Sequence, residues 1–511
     1  MVVSILYPEG NQGSLAPLED RRFATDLNLD QVFDALTAGR QELDLASVLY
    51  TPLGDVDLVA YRHEVLADFE HPPLAEAVRA FGKGMRQVRD VLAAASKLHN
   101  HWQQERLFLE AVPAYCHNVA SLGAALRELA PGARGVRAFN EYLRAYSASV
   151  EFTSLSQEAD QIAEMLGKLR YGVHIKGTRV TVSPYRGEAD YALEVETAFA
   201  KFREGAVKDY RANFRSLLDM DHVEGQVLNL VARLNPGPFG ELDNYFHRRQ
   251  AFIDAGIAAF ERDSQFYLAY LDYIEPIRRA GLPFCYPRVS VAPGRTLATA
   301  AFDLSLAGNI TKQGSSARVI TNDLNLSPRE RAVVVTGPNS GGKTTFARTF
   351  GQLHYLASLG LLVPALEAEL VLADHVFTSF AQAEQLGSDR SHLENELVQL
   401  RYVSEHSTPR SVVVMNESFS STTLNDAGVL GKAVLAKLLS RGALCLYVTF
   451  VDELASANEA TVSLVATVDP DDPVVRTYKL VRKPPEGLAY AAALAEHYGL
   501  TYHAVSEKVT R

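Results

Sequence analysis

A glycine-rich octapeptide that ends in a lysine and a hydroxyl residue is the part of this sequence best suited to chemistry. Residues 337–344 read GPNSGGKT and fit the pattern G-x-x-x-x-G-K-[ST]. Glycines let backbone N–H groups turn inward on phosphate oxygens, and the N-terminus of a following helix favours negative charge. Lys343 can reach the β- and γ-phosphates, and the Thr344 hydroxyl can ligate Mg²⁺. The pattern therefore predicts a P-loop, a site for a nucleoside triphosphate with magnesium.

The residues on both sides of the loop have the types needed to hold it in place. Val333, Val334 and Val335 form a short β-branched run that predicts a buried strand, and a helix is predicted from Thr345 onward. Strand, loop and helix are the context that the motif requires. We expect the nucleotide to contact the loop and the start of the helix, at Gly337, Pro338, Asn339, Ser340, Gly341, Gly342, Lys343, Thr344 and Thr345.

A second apolar strand carries the candidate catalytic acid. Residues 411–418 read SVVVMNES, with polar residues at the predicted carboxyl end of the strand, the end that faces the ligand in parallel α/β sheets. Asn416 can hold Mg²⁺ through its carbonyl oxygen, without the charge of an aspartate, and Glu417 is the candidate general base. Three interpretations stay open: ATP hydrolysis, nucleotide binding with scarcely any hydrolysis, and ordinary polar residues at a strand end.

A third buried strand is predicted by the sequence ALCLYVTFVDEL at residues 443–454. Thr449 and Phe450 stand at its carboxyl end, where a nucleotide-sensing group is often placed. We therefore add Phe450 to the candidate nucleotide-binding residues.

The elements that must position these residues divide the chain into two unlike halves. Residues 1–294 predict a mostly α-helical domain, with one apolar stripe from Leu74 to Ala95 and another from Ile253 to Ile274. Residues 295–511 alternate short apolar runs with helical stretches, the pattern of an α/β domain. Glycines and prolines between positions 281 and 294 favour a boundary there. We expect a multidomain protein in which the α/β half contains the P-loop.

One segment of the helical half is a candidate nucleic-acid contact. The sequences YGVHIK and RVTVSPY on either side of positions 177–178 predict a β-hairpin. Its basic residues Lys176, Arg179 and Arg186 lie among tyrosines, a combination that can hold phosphates and stack bases. The other interpretation, a hairpin that only covers the edge of a domain, stays open.

The composition limits the classes of partner and location. Lys+Arg is 50 and Asp+Glu is 61, so the net charge of −11 excludes a general polyanion binder, and DNA contact needs a local basic patch. No apolar run approaches the roughly 18–20 residues that span a bilayer, and the first ten residues lack the pattern of a signal peptide. Three widely spaced cysteines suggest reduced thiols. We expect a cytoplasmic protein without a membrane partner.

Motifs across residues 296–511 together resemble the ATPase domain of the MutS family. The loop matches T-G-P-N-x-x-G-K-[ST], and Asn322-Asp323 match an N-D pair that precedes the loop strand. Phe377-Thr378 and Ser391 match the two ends of the family's signature segment. Thr449 and Glu453 match T-H-x-x-E-L, and further matches occur at Leu386, Ser388, Arg390, Leu454, Tyr478-Lys479-Leu480, Gly487, Tyr490 and Gly499-Leu500.

The resemblance implies an α/β ATPase domain of the ABC type that works as a homodimer. Each ATP and its Mg²⁺ would lie between the P-loop of one subunit and the signature segment of the other. Asn322 would lie near the adenine, and Ser388, with Ser391 as the alternative, would contact the γ-phosphate in trans. Hydrolysis would move helical levers in a DNA repair or processing context, with double-stranded, mismatched or branched DNA as the candidate partner.

For residues 1–294 the resemblance implies the family's core and lever helices, with a candidate short clamp-like insertion around 150–240. We expect no counterpart of the family's N-terminal mismatch-recognition and connector domains. Asn416 replaces the usual aspartate and Phe450 replaces the usual histidine. An ATP-binding dimerisation switch with little or no hydrolysis and no mismatch recognition therefore stays open beside the ATPase.

Overall fold

The computed structural model describes residues 3–9, 17–177, 179–187, 220, 222–315, 317–381, 391–472 and 474–485. The fold combines α-helices with mixed α/β sheets, in agreement with the predicted mixture of helical and α/β regions. In chain order the α-helices are α1 Arg22–Asp26, α2 Leu29–Thr37, α3 Leu45–Leu49, α4 Val56–Phe69, α5 Pro72–Ala95, α6 His101–Leu129, α7 Arg134–Ser147, α8 Val150–Gly167, α9 His222–Leu234, α10 Pro236–Arg249, α11 Ala255–Arg279, α12 Leu304–Lys312, α13 Lys343–Ser358, α14 His392–His406 and α15 Leu424–Ser440.

The strands of the described residues form three sheets. In chain order they are β1 Tyr171–Lys176, β2 Arg179–Pro184, β3 Arg288–Ser290, β4 Thr296–Ala301, β5 Asn322–Leu326, β6 Ala332–Thr336, β7 Glu367–Val371, β8 Val376–Phe380, β9 Val412–Asn416, β10 Leu444–Val448, β11 Thr461–Val468 and β12 Arg476–Arg482. Among the described residues, no helix is both long and apolar enough to cross a membrane.

Contacts within the chain define two compact units. The first, here called the helical unit, contains Pro73–Pro131 and Arg137–Glu261. The second, the sheet unit, contains Val3–Pro72, Gly132–Val136 and the described residues from Arg262 onward. This division differs from the sequence domains 1–294 and 295–511, because the first seventy residues group with the sheets. The two sequence domains stay a prediction.

The helical unit buries the apolar stripe that the sequence predicts on α5. Leu74, Val78, Phe81, Met85 and Val88 are all at most 3% exposed. Spacings of three and four residues place these side chains on one face of a helix, and burial of that face stabilises the packing of α5. Rings fill much of the core of this unit, and Phe139 and Phe260 stack with their centroids 3.7 Å apart.

The predicted hairpin is present in the helical unit. β1 and β2 pair antiparallel, with Lys176 opposite Arg179 next to the turn. Gly177 has a φ of +61°, which a residue with a side chain adopts less readily. Lys176, Arg179 and Arg186 are exposed. The hairpin therefore presents its basic residues at the surface, as a nucleic-acid contact would require.

The larger sheet of the sheet unit determines where the P-loop lies. Its strand order is β12-β11-β6-β10-β9-β8, and the neighbours are parallel except for β12, which runs antiparallel to β11. Strands β6, β9 and β10 are buried along their whole length, as expected for valine-rich central strands of a parallel sheet. Because these strands are parallel, the segments that follow them meet at one edge.

Candidate functional site

The P-loop between β6 and α13 depends on glycine at defined positions. At Gly337, which has a φ of +118°, a Cβ atom would lie 2.8 Å from the Ala466 carbonyl oxygen on β11. Gly342 caps the N-terminus of α13 with a φ of +89°. Ser340 adopts a left-handed φ of +58° without being glycine. The loop therefore packs closely against β11. Gly337 and Gly342 stand at positions where a residue with a side chain would be strained.

The loop forms one wall of a cavity of about 450 Å³, a volume in the usual range for a small-molecule site. The predicted residues Asn322 and Glu417 lie on its other walls together with Ile320 and Tyr478. The structure thus brings loop residues 340–345 together with two predicted residues from distant parts of the chain. Ile320 and Tyr478 were not predicted as site residues, although Tyr478 belongs to the C-terminal motif match.

Lys343 is buried beside its own loop. It is 4% exposed, and its Nζ donates hydrogen bonds of 2.8 Å to the carbonyl oxygens of Gly337 and Pro338. The same Nζ lies 5.0 Å from the centroid of the Phe450 ring, a cation–π distance. Burial lowers the pKa of Lys343 from its ordinary value, while the nearby Glu417 carboxylate opposes the shift. The ammonium group therefore has weak neutral partners that an anion could replace.

Thr344 and Asn416 meet where α13 begins and β9 ends. The Thr344 hydroxyl donates a 3.1 Å hydrogen bond to Asn416 Oδ1, and the asparagine is 8% exposed. Hydroxyl and amide oxygens beside a carboxylate are hard donors of the kind that Mg²⁺ accepts in phosphate sites. Within the described ranges no group of three His, Cys, Asp or Glu residues could hold a metal. These residues therefore fit a magnesium ion that arrives with phosphate ligands of its own.

Glu417 follows β9 in a strained turn. It has a φ of +56°, and Phe419, two residues later, has a φ of +65°. The Glu417 N–H donates to the Val448 carbonyl oxygen on β10 at 2.9 Å, which anchors the turn to the sheet. Left-handed residues other than glycine raise the energy of a fold and concentrate at functional sites. The turn directs the carboxylate to the cavity that Lys343 and Thr344 also line.

Asn322 has a structural task that sequence reasoning did not identify. Its Nδ2 donates to the Tyr478 carbonyl oxygen at 3.0 Å, and its Oδ1 accepts from the Leu480 N–H at 2.8 Å. The Asn322 amide thus pairs with backbone groups of β12, as a neighbouring strand would. It supports the backbone at Tyr478, which has a φ of +58°. In this arrangement Asn322 lines the cavity while its amide holds the backbone that carries Tyr478.

The remaining predicted residues lie around this centre or beyond it. The Asn339 carbonyl oxygen accepts a 3.2 Å hydrogen bond from Arg476 Nε. Ser391 caps α14, where its Oγ accepts from the Glu394 N–H at 3.2 Å, and it is not part of the cavity lining. Ser388 lies outside the described residues. The roles of Ser388 and Ser391 toward a second subunit stay a prediction.

Comparison with known protein families identifies one matching domain. Residues 333–507 match the family described as MutS domain V. This domain is the ATPase domain of MutS-like proteins, and the matched region contains Lys343, Thr344, Asn416 and Glu417. A MutS-like ATP-binding role follows, and the predicted resemblance is confirmed. Residues 333–507 of this chain are thus similar to domain V of the MutS family.

Proposed function

We propose that this chain is an ATPase of the MutS type that hydrolyses ATP with magnesium and couples turnover to dimerisation. The observation that supports this most directly is one cavity lined by Lys343, Thr344 and Glu417, with Asn416 hydrogen-bonded to Thr344. A phosphate-binding loop, oxygen donors for a metal and a carboxylate near both are the groups that ATP hydrolysis requires.

The proposed chemistry assigns a distinct task to each side chain. Lys343 exchanges its two carbonyl partners for phosphate oxygens and neutralises charge on the β- and γ-phosphates. Thr344 and Asn416 would hold Mg²⁺, which would offset negative charge on the phosphates. Glu417 orients a water molecule and accepts its proton as the water oxygen bonds to the γ-phosphorus. The bond from the γ-phosphorus to the bridging oxygen breaks, and ADP and phosphate are the products.

Two lining residues suit a nucleobase. Ile320 and Tyr478 line the cavity, and a flat purine is stabilised by apolar and aromatic neighbours. Tyr478 lies close to the P-loop, because a Cβ on Gly342 would be 3.6 Å from the Tyr478 Cα and Cβ atoms. A nucleotide could therefore contact the phosphate loop and this aromatic ring at the same time.

Dimerisation in the presence of ATP is the second element of the proposal. Phe450, whose ring centroid lies 5.0 Å from Lys343 Nζ, is 48% exposed. An exposed aromatic side chain beside a ligand site is a frequent property of contact surfaces. We propose that a second copy covers this surface and brings Ser388 or Ser391 toward the γ-phosphate. ATP would then favour the dimer because only the dimer makes both sets of contacts.

Two measurements on the full chain test the proposal. Steady-state phosphate release should be clear for the wild type and fall about 100-fold or more for Glu417→Gln, the usual scale for loss of a general base. Sedimentation should show a dimer with ATP and Mg²⁺ for the wild type and a monomer for Lys343→Ala. Equal background rates for wild type and Glu417→Gln would remove hydrolysis from the proposal. A wild-type monomer under every condition would remove the trans site.

A dimerisation switch without turnover is the second candidate function. It is favoured by the uncharged Asn416 at the metal position and by the Phe450 ring, which cannot donate or accept a proton. In that case ATP would still produce the dimer in sedimentation, while phosphate release would stay at background. The two measurements above therefore separate the switch from the ATPase.

We propose DNA as a partner of the hairpin. The support is that Lys176, Arg179 and Arg186 are all exposed in a chain of net charge −11. Binding to branched or mismatched duplex should weaken steeply with salt. Charge reversal of all three residues should abolish it. Reversal of three exposed control residues, Lys83, Lys97 and Arg127, should leave it intact. Unchanged binding after reversal in the hairpin would exclude the hairpin as the contact.

A further inference from the structure

A residue far upstream of the matched domain contacts two elements of the nucleotide site. Asp26, at the end of α1, accepts a 2.6 Å hydrogen bond from the Thr378 hydroxyl on β8 through its carboxylate Oδ2. Its backbone carbonyl oxygen accepts a 3.1 Å hydrogen bond from Arg348 Nε on α13, the helix that begins at the P-loop. One residue therefore joins the P-loop helix to a strand of the large sheet.

The next residue, Leu27, packs closely against α13 and holds this contact in place. Leu27 is fully buried, and its carbonyl oxygen accepts a 2.8 Å hydrogen bond from Gln352 Nε2 on α13. A Cβ atom on Gly351 would lie 2.5 Å from Leu27 Cδ2, so the leucine occupies space that only glycine leaves open. Asn28 then turns the chain with a left-handed φ of +55°. Residues 26–28 are thus held directly against the backbone of α13.

These contacts close a ring that contains the proposed magnesium ligands. In the ladder between β8 and β9, Thr378 lies opposite Val414 and Phe380 lies opposite Asn416. Asn416 accepts the hydrogen bond of Thr344 at the start of α13. Arg348 on the same helix returns to Asp26. These contacts therefore link Asp26 to β8, β8 to β9, β9 to α13 and α13 back to Asp26. The hydrogen bond between Thr344 and Asn416 is one of the links.

The use of a carboxylate at this position needs a physical reason. Burial raises the pKa of Asp26 above its ordinary value, and the hydrogen bond from Thr378 only opposes the shift. Arg22 and Arg348 also favour the charged form, but burial outweighs them, and an uncharged acceptor could receive the same hydrogen bond. The carboxylate is a strong acceptor for the Thr378 hydroxyl, and the backbone carbonyl oxygen of the same residue accepts from Arg348. Both contacts together suit a residue that fixes the position of two elements.

We propose that Asp26 is a positioning residue for magnesium-dependent nucleotide binding, which sets the separation of Thr344 and Asn416 by holding α13 and β8 together. This inference rests on the proposed function, because it assigns Thr344 and Asn416 to the metal. Asp26 contacts neither nucleotide nor metal in this proposal. Its effect passes through the helix and the strand, so it should change the metal dependence of binding more than the affinity for nucleotide without metal.

The test measures binding of a fluorescent, non-hydrolysable ATP analogue to the full chain, first in EDTA and then across a Mg²⁺ titration. Asp26→Ala and Thr378→Val should each raise, by about tenfold, the Mg²⁺ concentration at which the enhancement of analogue binding by magnesium is half-maximal. Loss of a residue that orients metal ligands typically has an effect of this size or larger. The affinity in EDTA should stay within about twofold of wild type. The double variant should be no worse than the more affected single variant, because both remove the same contact.

The controls separate a positioning task from simple loss of stability. Asp34→Asn removes a carboxylate from the exposed side of the neighbouring helix α2 and should leave the magnesium midpoint unchanged. Thr378→Val keeps the shape of the side chain, so it carries the test if Asp26→Ala does not fold. Unchanged magnesium midpoints, or an equal loss of affinity in EDTA, would overturn the inference while the proposed function stands. A folded wild-type chain that binds no nucleotide would overturn the proposed function itself.

Discussion

The sheet unit and the helical unit place their strained residues differently. Among the described residues of the helical unit, Ala130 at the end of α6 is the one residue other than glycine with a positive φ. In the sheet unit, Ser340, Glu417 and Tyr478 have left-handed backbones and line one cavity. Ala130 ends a helix, and Asn28 and Asp44 of the sheet unit likewise flank helices, whereas Ser340, Glu417 and Tyr478 line a cavity.

Buried charge shows the same contrast. In the sheet unit, Lys343 is buried against two carbonyl oxygens and an aromatic ring that a phosphate group could replace. In the helical unit, Glu105 is 2% exposed, and its Oε2 has no hydrogen-bond partner among the described residues. Burial and the neighbouring Asp243 raise the pKa of Glu105 to about 7. Lys343 thus lines the cavity of the proposed nucleotide site, whereas the buried Glu105 carboxylate lowers stability near neutral pH.

The largest expected effect comes from removing the charge in the P-loop. Lys343→Ala should weaken ATP binding by about 100-fold or more, because a charge-assisted contact to phosphate is lost. The free energy of unfolding should not fall, since a buried cation has been removed. Calorimetric titration with ATP and denaturation in urea measure the two quantities. Lys432→Ala, at an exposed ion pair with Glu453, is the control and should change neither. ATP binding by Lys343→Ala at wild-type affinity would show that the buried charge of Lys343 does not serve ATP binding.

Glu105→Gln should stabilise the chain at high pH. The pKa of the folded state, about 7, lies above the ordinary 4.5, so the folded chain binds more protons between these values. The free energy of unfolding of the wild type therefore falls as pH rises through this window. The variant lacks this slope and should be more stable than wild type by about 3 kcal/mol at pH 8, with little difference near pH 4.5. Urea denaturation of both proteins at both pH values measures this difference in the free energy of unfolding. An equal difference at pH 4.5 and pH 8 would show that Glu105 is not the source of the pH dependence.

Asn416→Asp should strengthen magnesium binding by about tenfold, because a carboxylate is a better ligand for the ion than an amide oxygen. The Thr344 hydroxyl can still donate to the new side chain, so the local geometry should persist. The measurement is the Mg²⁺ midpoint for binding of the ATP analogue. Asn309→Asp, at an exposed position of helix α12, is a control for the added charge and should have no effect. A weaker magnesium response in Asn416→Asp would indicate that this residue does not face the ion.

The smallest effects should distinguish the two kinds of strain. Ala130→Gly and Ser340→Gly each relieve a left-handed backbone and should raise the free energy of unfolding by about 0.5–1 kcal/mol. Only Ser340→Gly should also weaken ATP binding, by a few-fold, because the phosphate loop becomes less ordered before binding. Thermal denaturation and nucleotide titration of both variants test this pair. Loss of ATP affinity in Ala130→Gly would contradict the proposed separation.

Local patterns were sufficient to predict much of the fold and of the site. The structure contains the predicted glycine-rich loop between a buried strand and a helix, the buried strand that ends at Asn416, the hairpin and the apolar stripe of α5. Each depends on residues that are near one another in sequence, where glycine placement and hydrophobic spacing determine conformation. The predicted roles of Ser388 and Ser391 need a second subunit, so neither the sequence nor a single chain tests them.

The sequence by itself determined which residues can bind phosphate and where the backbone must turn, because these depend on side-chain chemistry and on local steric limits. Only the tertiary structure decided that Asn322 supports Tyr478 across β12, and that Asp26 reaches both α13 and β8. Such pairs are separated by more than 150 or 300 positions along the chain. Their contacts follow from the order of strands and the packing of helices, and no local pattern in the sequence encodes them.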